Sequence, residues 1–413
     1  MTLRSRLGPL EERDFRLLFL GRTVSLFGSA LAPVALAFAV LDDLGGDASD
    51  LGLVLAAGSL PMVAFMLVGG IWADRLPRHL VMVVSDAIAG AAQLVIAVLV
   101  LAGSAELWHV IALQVVRGTA SAFFFPAAMG VVPEAVSPQR LHRANALLSL
   151  SRNGTQIGGA AAGGILVATV GAGWALAFDG VTYFAGAAFL LRMRLRRDVT
   201  LPERNFLREL AEGWHEFRSR TWLWAVVAQF AFLVPAWTGA ILVLGPVVAE
   251  AELGGAAAWG LILSAQSVGL VLGGLLMLRW HPDRPLLVAS LAILLTALPI
   301  VALAVPAPTV AIAAAAFVAG IGFDVFGVLW STTMHEQIPP EKLSRVSSYD
   351  ALGSFVFAPV GMAVAGPVAA SIGLTEALLA AAAVIVVSTL LVLLVDDVRT
   401  LRRTALEAAA ATP

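Results

Sequence analysis

Three ionisable side chains, Arg22, Arg117 and Asp324, sit far inside long apolar runs of this 413-residue chain. Arg117 shares a helical face with Gln114 and Ser121, Asp324 with Gly327 and Ser331, and Arg22 with Ser25, Ser29 and Pro33. A carboxyl in a low-dielectric setting can take up and release a proton, and a nearby arginine changes its proton affinity. Asp324 therefore reads as a protonatable coupling group, with Arg117 or Arg22 as the cation that tunes it. The competing reading is a structural ion pair that fixes helix register.

The elements that must hold these groups are membrane helices. Hydrophobic residues make up 59% of the chain and charged residues 13%, and mean hydropathy is +0.90, far from a soluble globular domain. The run from Leu51 to Ile71 has no charge, and that from Leu80 to Ala102 has only Asp86. Each exceeds the roughly 20 residues that cross a bilayer core. Hydropathy and turn residues predict twelve spans, among them 15–40, 51–72, 80–103, 107–133, 144–169, 309–335 and 346–371. Arg117 then lies about 13 Å into span 4 from its outer end, at 1.5 Å per residue.

Charge placement sets orientation. Apart from Arg22, Arg117 and Arg152, every Lys or Arg falls at the N-terminus, in the C-terminal tail or in an even-to-odd connection. The opposite connections, such as Asp42 to Asp50, Ala102 to Glu106 and Glu250 to Gly255, contain none. This bias predicts a multi-pass protein of the cell inner (plasma) membrane with both termini cytoplasmic. No short apolar core with a cleavage site follows Met1 to Arg16, so no cleaved signal peptide is expected. The absence of cysteine excludes disulfides and thiolate metal sites.

A repeat is visible. Glu134, Pro138, Arg140, Leu141 and Arg143 match Glu336, Pro340, Lys342, Leu343 and Arg345 at a constant offset of 202. The offset spans six helices, an even number, so the two halves run the same way. Parallel six-helix repeats are a transporter architecture with the substrate site near the midplane. The predicted organisation is a six-helix bundle over 1–193, a cytoplasmic linker with a surface helix over 194–221, a second bundle over 222–396 and a cytoplasmic tail over 397–413. Asp324 then faces Ala122 and Arg117 faces Ala319 in the pairing of the halves, so charge is asymmetric where it matters.

Other polar groups have plainer readings. Asp86 and Asp350 are expected in the first turns of spans 3 and 11, where a helix N-terminus favours a carboxylate. Asp179, one to two turns into span 6, is expected to be structural. Glu134 and Glu336 end their spans beside Arg143 and Arg345, within reach of the hinge arginines Arg75 and Arg78, and this charge cluster reads as a gate latch or a static network. Gln114, Phe124, Trp237 and Trp330 are the candidate lining of the substrate cavity. The abundance of aromatics on these helices favours an amphipathic ligand over a sugar.

The hinge from Gly69 to Leu80 is a tight turn at the membrane surface, and it resembles the loop 2–3 signature of the major facilitator superfamily. Gly70, Ala73, Asp74, Arg75 and Arg78 match that signature, while Pro77 and His79 depart from it. The run Gly158-Gly159-Ala160-Ala161-Ala162-Gly163-Gly164 resembles the antiporter signature of exporters in the superfamily, with Ala160 in place of proline. The stretch from Arg117 through Phe125-Pro126 and Arg143 to Leu147, ending at Phe178-Asp179, is similar to the branch of enterobactin-type siderophore exporters and macrolide efflux pumps. The resemblance implies an all-α membrane protein of twelve transmembrane helices in two parallel six-helix repeats, working as a monomer by alternating access. It also implies export of a small drug, antibiotic or siderophore-like molecule by proton antiport. Proton-coupled uptake and a non-transporting membrane sensor are the alternatives.

Other classes fit poorly. The single lysine, Lys342 in Pro-Pro-Glu-Lys-Leu-Ser, lacks the glycine loop that cradles phosphates, and no histidine pair has metal-ligand spacing. No enzyme activity, cofactor, metal or nucleic-acid partner is expected. The expected partners are a small-molecule substrate, protons and the lipid bilayer.

Overall fold

A computed structural model describes residues 8–195, 213–305 and 307–403. The helices of the first half are α1 Arg13–Phe38, α2 Ala48–Arg75, α3 Arg78–Leu101, α4 Leu107–Gly130, α5 Leu141–Val170 and α6 Ala172–Leu190. Those of the second are α7 Thr221–Leu253, α8 Ala256–Met277, α9 Pro285–Ala304, α10 Thr309–Gln337, α11 in two pieces (Pro340–Phe355 and Ala358–Ile372) and α12 Leu374–Val392.

Among the described residues, eleven of these helices are long and apolar enough to cross a membrane. The exception is α5. Its 30 residues reach about 45 Å at 1.5 Å per residue, but Arg143, Asn145, Arg152, Asn153 and Gln156 make it too polar to qualify on composition. It packs on α1 and α6 as the fifth member of the first bundle.

Helix starts follow from short side-chain caps. Asp47 caps α2 by accepting from the backbone N–H of Ser49 and Asp50, while Asp50 accepts from the backbone N–H of Asp47, a reciprocal capping box. At α4 the ring of His109 takes the backbone N–H of Glu106. The acids of these connections thus serve helix ends.

The two halves repeat each other's packing. In the first, α1 packs on α5 and α6, and α3 on α4 and α6; in the second, α7 packs on α11 and α12, and α9 on α10 and α12. The α5–α6 and α11–α12 turns are both made by a glycine in the left-handed region, Gly171 at φ 91° and Gly373 at φ 101°. Only glycine adopts that conformation without strain, and the two are again separated by 373 − 171 = 202 residues. The match extends to close helix approaches. A Cβ on Gly69 would fall 2.2 Å from the Ala122 carbonyl oxygen, and one on Gly273 would fall 2.9 Å from Cβ of Asp324. Ala122 and Asp324 are 202 apart, so α2 meets α4 as α8 meets α10.

The chain forms two compact units, residues 1–202 with 246–264, and 203–245 with 265–413. Residues 246–264, from the end of α7 into α8, group with the first unit. The cause is a glycine contact: a Cβ on Gly164 of α5 would lie 3.0 Å from Cα of Gly260, and Ser264 Oγ donates to the Ile157 carbonyl at 3.3 Å. The small-residue run of α5 thus seats the first half of α8. Most of the predicted linker, 196–212, and the end of the tail, 404–413, lie outside the described residues. At the described end of the linker, residues 213–218 are helical, where a surface helix was expected.

Two acids sit deeper than the sequence suggests. Because α3 begins at Arg78 and α11 at Pro340, Asp86 and Asp350 lie more than two turns inside their helices, and neither caps an N-terminus. The apolar count placed each start too late, because charged residues occupy the first turns.

Candidate functional site

The first unit gathers ionisable groups from four helices. On α6, Asp179, Thr182, Tyr183 and Gly186 follow at spacings of three, four and seven and form one stripe. Small residues bring the neighbouring helices onto it. A Cβ on Gly28 of α1 would fall 2.0 Å from Oγ1 of Thr182 and 2.8 Å from Oδ1 of Asp179. A Cβ on Gly90 of α3 would fall 2.9 Å from Cβ of Tyr183. At both sites an alanine would force the helices apart, so glycine sets the depth at which the acid is enclosed.

Asp179 is fully buried, at 0% exposure, and neither of its carboxylate oxygens has a hydrogen-bond partner in the protein. Its nearest cation is Arg117 of α4, with Nη1 4.0 Å from Oδ2. That nitrogen donates to Oε1 of Gln93 on α3 at 2.8 Å. Beside this group lies a cavity of about 130 Å³, whose walls include Arg22, Ser29, Asp86, Ser121, Phe124 and Tyr183. Ser29 donates to the Tyr183 hydroxyl at 3.1 Å. Asp86 is only 3% exposed; it attracts Arg22, which Arg152 of α5 repels. The cavity is smaller than the roughly 300–1,000 Å³ of a drug-sized site, so its chemistry suits water and protons.

The residues singled out in the sequence are distributed as follows. Arg22 and Phe124 line this cavity, and Arg117 donates to Gln93 on α3. Gln114 is buried elsewhere, its Oε1 under Gly58 of α2, where a Cβ would fall 3.1 Å away. Asp324 is half-buried in the second unit, against the Gly273-Gly274 pair; a Cβ on Gly274 would lie 3.0 Å from its Oδ2. Trp330 is tied down, donating Nε1–H to Oδ2 of Asp350 at 3.1 Å and meeting Trp222 edge-on with centroids 5.5 Å apart. Phe326 continues this column by stacking on Phe230 at 4.6 Å. Trp237 packs near Phe323 at 6.2 Å, and its Nε1 has no hydrogen-bond partner.

The latch residues divide. Arg78 donates to the Gly130 carbonyl at 2.6 Å and to Oε1 of Glu134 at 3.0 Å, so a hinge arginine does reach that acid. Glu336 accepts from Nε of Arg403 at 3.2 Å. Arg75 and Arg143 are exposed, and Arg345 is half-buried in the first turns of α11. The surroundings of Gly70 and the side chain of Asp74 lie outside those described. One cluster was missed: Glu216, beyond the linker, takes Nζ of Lys342 at 2.8 Å and also pairs with Arg220. Hydrogen bonds from Lys342 and then Arg220 hold its carboxyl below the usual glutamate range.

The Gln93, Asp86 and Asp179 convergence was also not assembled from sequence, though the signal was available. Asp86 and Gln93 stand seven apart on α3, the spacing of one helical face.

Residues 18–356 match the family model of the Major Facilitator Superfamily. The chain belongs to the Major Facilitator Superfamily. It is therefore a membrane transporter and not an enzyme. Over 376 residues it is 27% identical to the multidrug efflux pump Tap of Mycolicibacterium fortuitum, covering 86% of this chain and 88% of Tap. It is 28% identical over 229 residues to BacE of Bacillus amyloliquefaciens, a protein assigned as a bacilysin exporter, covering 55% of this chain and 57% of BacE. Among solved structures, the nucleoside transporter NupG aligns with a TM-score of 0.72 at 14% identity, over 92% of this chain and 98% of that one. A POT family transporter in complex with 5-aminolevulinic acid aligns with a TM-score of 0.73 at 11% identity, over 93% and 96%. These likenesses establish the twelve-helix superfamily fold.

Proposed function

We propose that this superfamily member exports a small amphipathic molecule, of the drug or antibiotic kind, by proton antiport through alternating access. The observation that carries the export reading is the match to the efflux pump Tap, which runs through both halves of the chain. Proton coupling is supported by ionisable groups held inside membrane helices, where an unpaired charge is costly and a group that changes protonation is useful. Asp324 on α10 is the proposed coupling acid of the second half. Arg22 and Arg117 are the cations of the first.

In this scheme a proton entering from outside neutralises Asp324, the substrate leaves outward, and deprotonation to the cytoplasm resets the cycle. Both termini are placed in the cytoplasm in this reading, which the arginine distribution supports. The Arg78–Glu134 pair acts as a latch at the cytoplasmic surface, and the protein works as a monomer. The test is flux of ethidium, a cationic amphipathic dye, in proteoliposomes under an imposed pH gradient of either sign. Export coupled to protons requires dye movement that reverses with the gradient and stops when a protonophore dissipates it.

A further inference from the structure

Asp179 has no place in that scheme, yet it is the most completely enclosed acid among the described residues of the first unit. A buried ionised carboxylate ordinarily accepts several hydrogen bonds, or its charge is neutralised by a contacting cation. Asp179 has neither: both oxygens lack a hydrogen-bond partner, and Nη1 of Arg117 stands at 4.0 Å while donating to Gln93 at 2.8 Å. The amide side of Gln93, Nε2, is itself without a partner. Arg117 thus has two candidate seats, the Gln93 amide oxygen that it occupies and the Asp179 carboxylate about an ångström further off than a hydrogen bond.

We propose that Asp179 is a second proton-binding carboxyl, carrying its proton while Arg117 rests on Gln93 and losing it when Arg117 turns to pair with it. The proton leaves the Asp179 carboxyl for water; the cavity of about 130 Å³ whose walls include Tyr183, one turn further along α6, has room for several molecules. The carboxylate left behind takes the guanidinium from Gln93, and the reverse step restores both. The charged or titratable neighbours are Arg22 of α1, Asp86 of α3, Arg117 of α4 and Tyr183 on the same helix as Asp179, with Arg152 of α5 acting on Arg22. Ser29 donates to the Tyr183 hydroxyl, and both residues line the cavity.

The proposal rests on the proton-antiport reading for its role in transport, but the binding itself can be measured without any substrate. The experiment is infrared titration of the purified protein with carboxyl-labelled aspartate, following the band of the protonated acid. Wild type should show a titrating carboxyl component that Asp179→Asn lacks and Asp179→Glu displaces. Gln93→Leu, which unseats Arg117, should lower the proton affinity of that component about tenfold, and Gln93→Glu should raise it. If Asp179→Asn does not fold, the Gln93 pair of variants carries the test. An unchanged aspartate band in Asp179→Asn, or a titration indifferent to both Gln93 variants, overturns the proposal. Loss of pH-driven ethidium flux in wild type would instead sink proton antiport and leave the titration result standing.

Discussion

Nη1 of Arg117 lies 4.0 Å from Oδ2 of Asp179 but gives its hydrogen bond to Oε1 of Gln93 at 2.8 Å. The pair is therefore half-made, with a neutral amide holding the arginine that stands 4.0 Å from a fully buried carboxyl. A finished buried pair would lock α4 to α6, whereas an unfinished one leaves two arrangements close in geometry. Such bistability is what a transporter that alternates between states requires.

The enclosure of Asp179 depends on Gly28. Its Cβ position lies 2.0 Å from Oγ1 of Thr182, so Gly28→Ala should destabilise the first bundle by about 1–3 kcal/mol through overpacking. Thermal unfolding in detergent measures this. Gly154 on α5 has nothing within 4 Å of its Cβ position, so Gly154→Ala serves as the matched control with no loss. Equal melting of the two variants would remove the packing argument.

The Gly164–Gly260 contact should have to open during transport if the α5 small-residue run is part of the moving machinery. Since the chain has no cysteine, Gly164→Cys with Gly260→Cys gives a clean cross-link. Oxidation should stop ethidium flux, and reduction should restore it. Undiminished flux in a fully cross-linked sample would make this contact static.

The Arg78–Glu134 pair predicts a kinetic defect. Arg78→Gln removes the donor to both Glu134 and the Gly130 carbonyl, so turnover should fall several-fold while ethidium Kd stays within about twofold, under 0.5 kcal/mol. Stopped-flow transport alongside equilibrium binding separates the two. A matching loss of affinity would assign the pair to the binding site.

Glu216 gives a pH signature outside the membrane. Its carboxyl is held below the ordinary glutamate value of 4.5 by Lys342 and Arg220, so the folded state binds the proton less readily than the unfolded chain. The stabilisation is fully present above the ordinary value and is lost as pH falls through the lower folded value. Wild type and Glu216→Gln should differ in melting temperature at pH 7 and converge once the pH lies below the lowered folded value. A difference that persists into stronger acid would contradict the assignment.

Much of the architecture was legible in the chain because membrane helices announce themselves by length and apolarity. The 202-residue repeat seen at Glu134 and Glu336 recurs in the turn glycines Gly171 and Gly373 and in the Ala122 and Asp324 contacts. The family resemblance, carried by Gly70, Asp74 and Arg78, agrees with the match over 18–356. At α5 the span predicted over 144–169 corresponds to the helix Leu141–Val170, although its polar face keeps it below the apolarity of the other eleven. Apolarity failed at the starts of α3 and α11, where charged first turns concealed how deep Asp86 and Asp350 lie. Site geometry was harder to read, since single-helix stripes show which residues share a face but not which helices meet. Arg117 or Arg22 was therefore set against Asp324 without sight of Gln93 and Asp179, which lie beside Arg117.

The most direct test of the whole account is ethidium flux in proteoliposomes driven by an imposed pH gradient, compared between wild type and Asp324→Asn. Proton antiport predicts wild-type flux that reverses with the gradient, and a variant that binds the dye normally but has lost at least about tenfold in driven flux, some 1.4 kcal/mol of coupling. Wild-type movement that ignores the gradient, or an Asp324→Asn variant that keeps full driven flux, would contradict it.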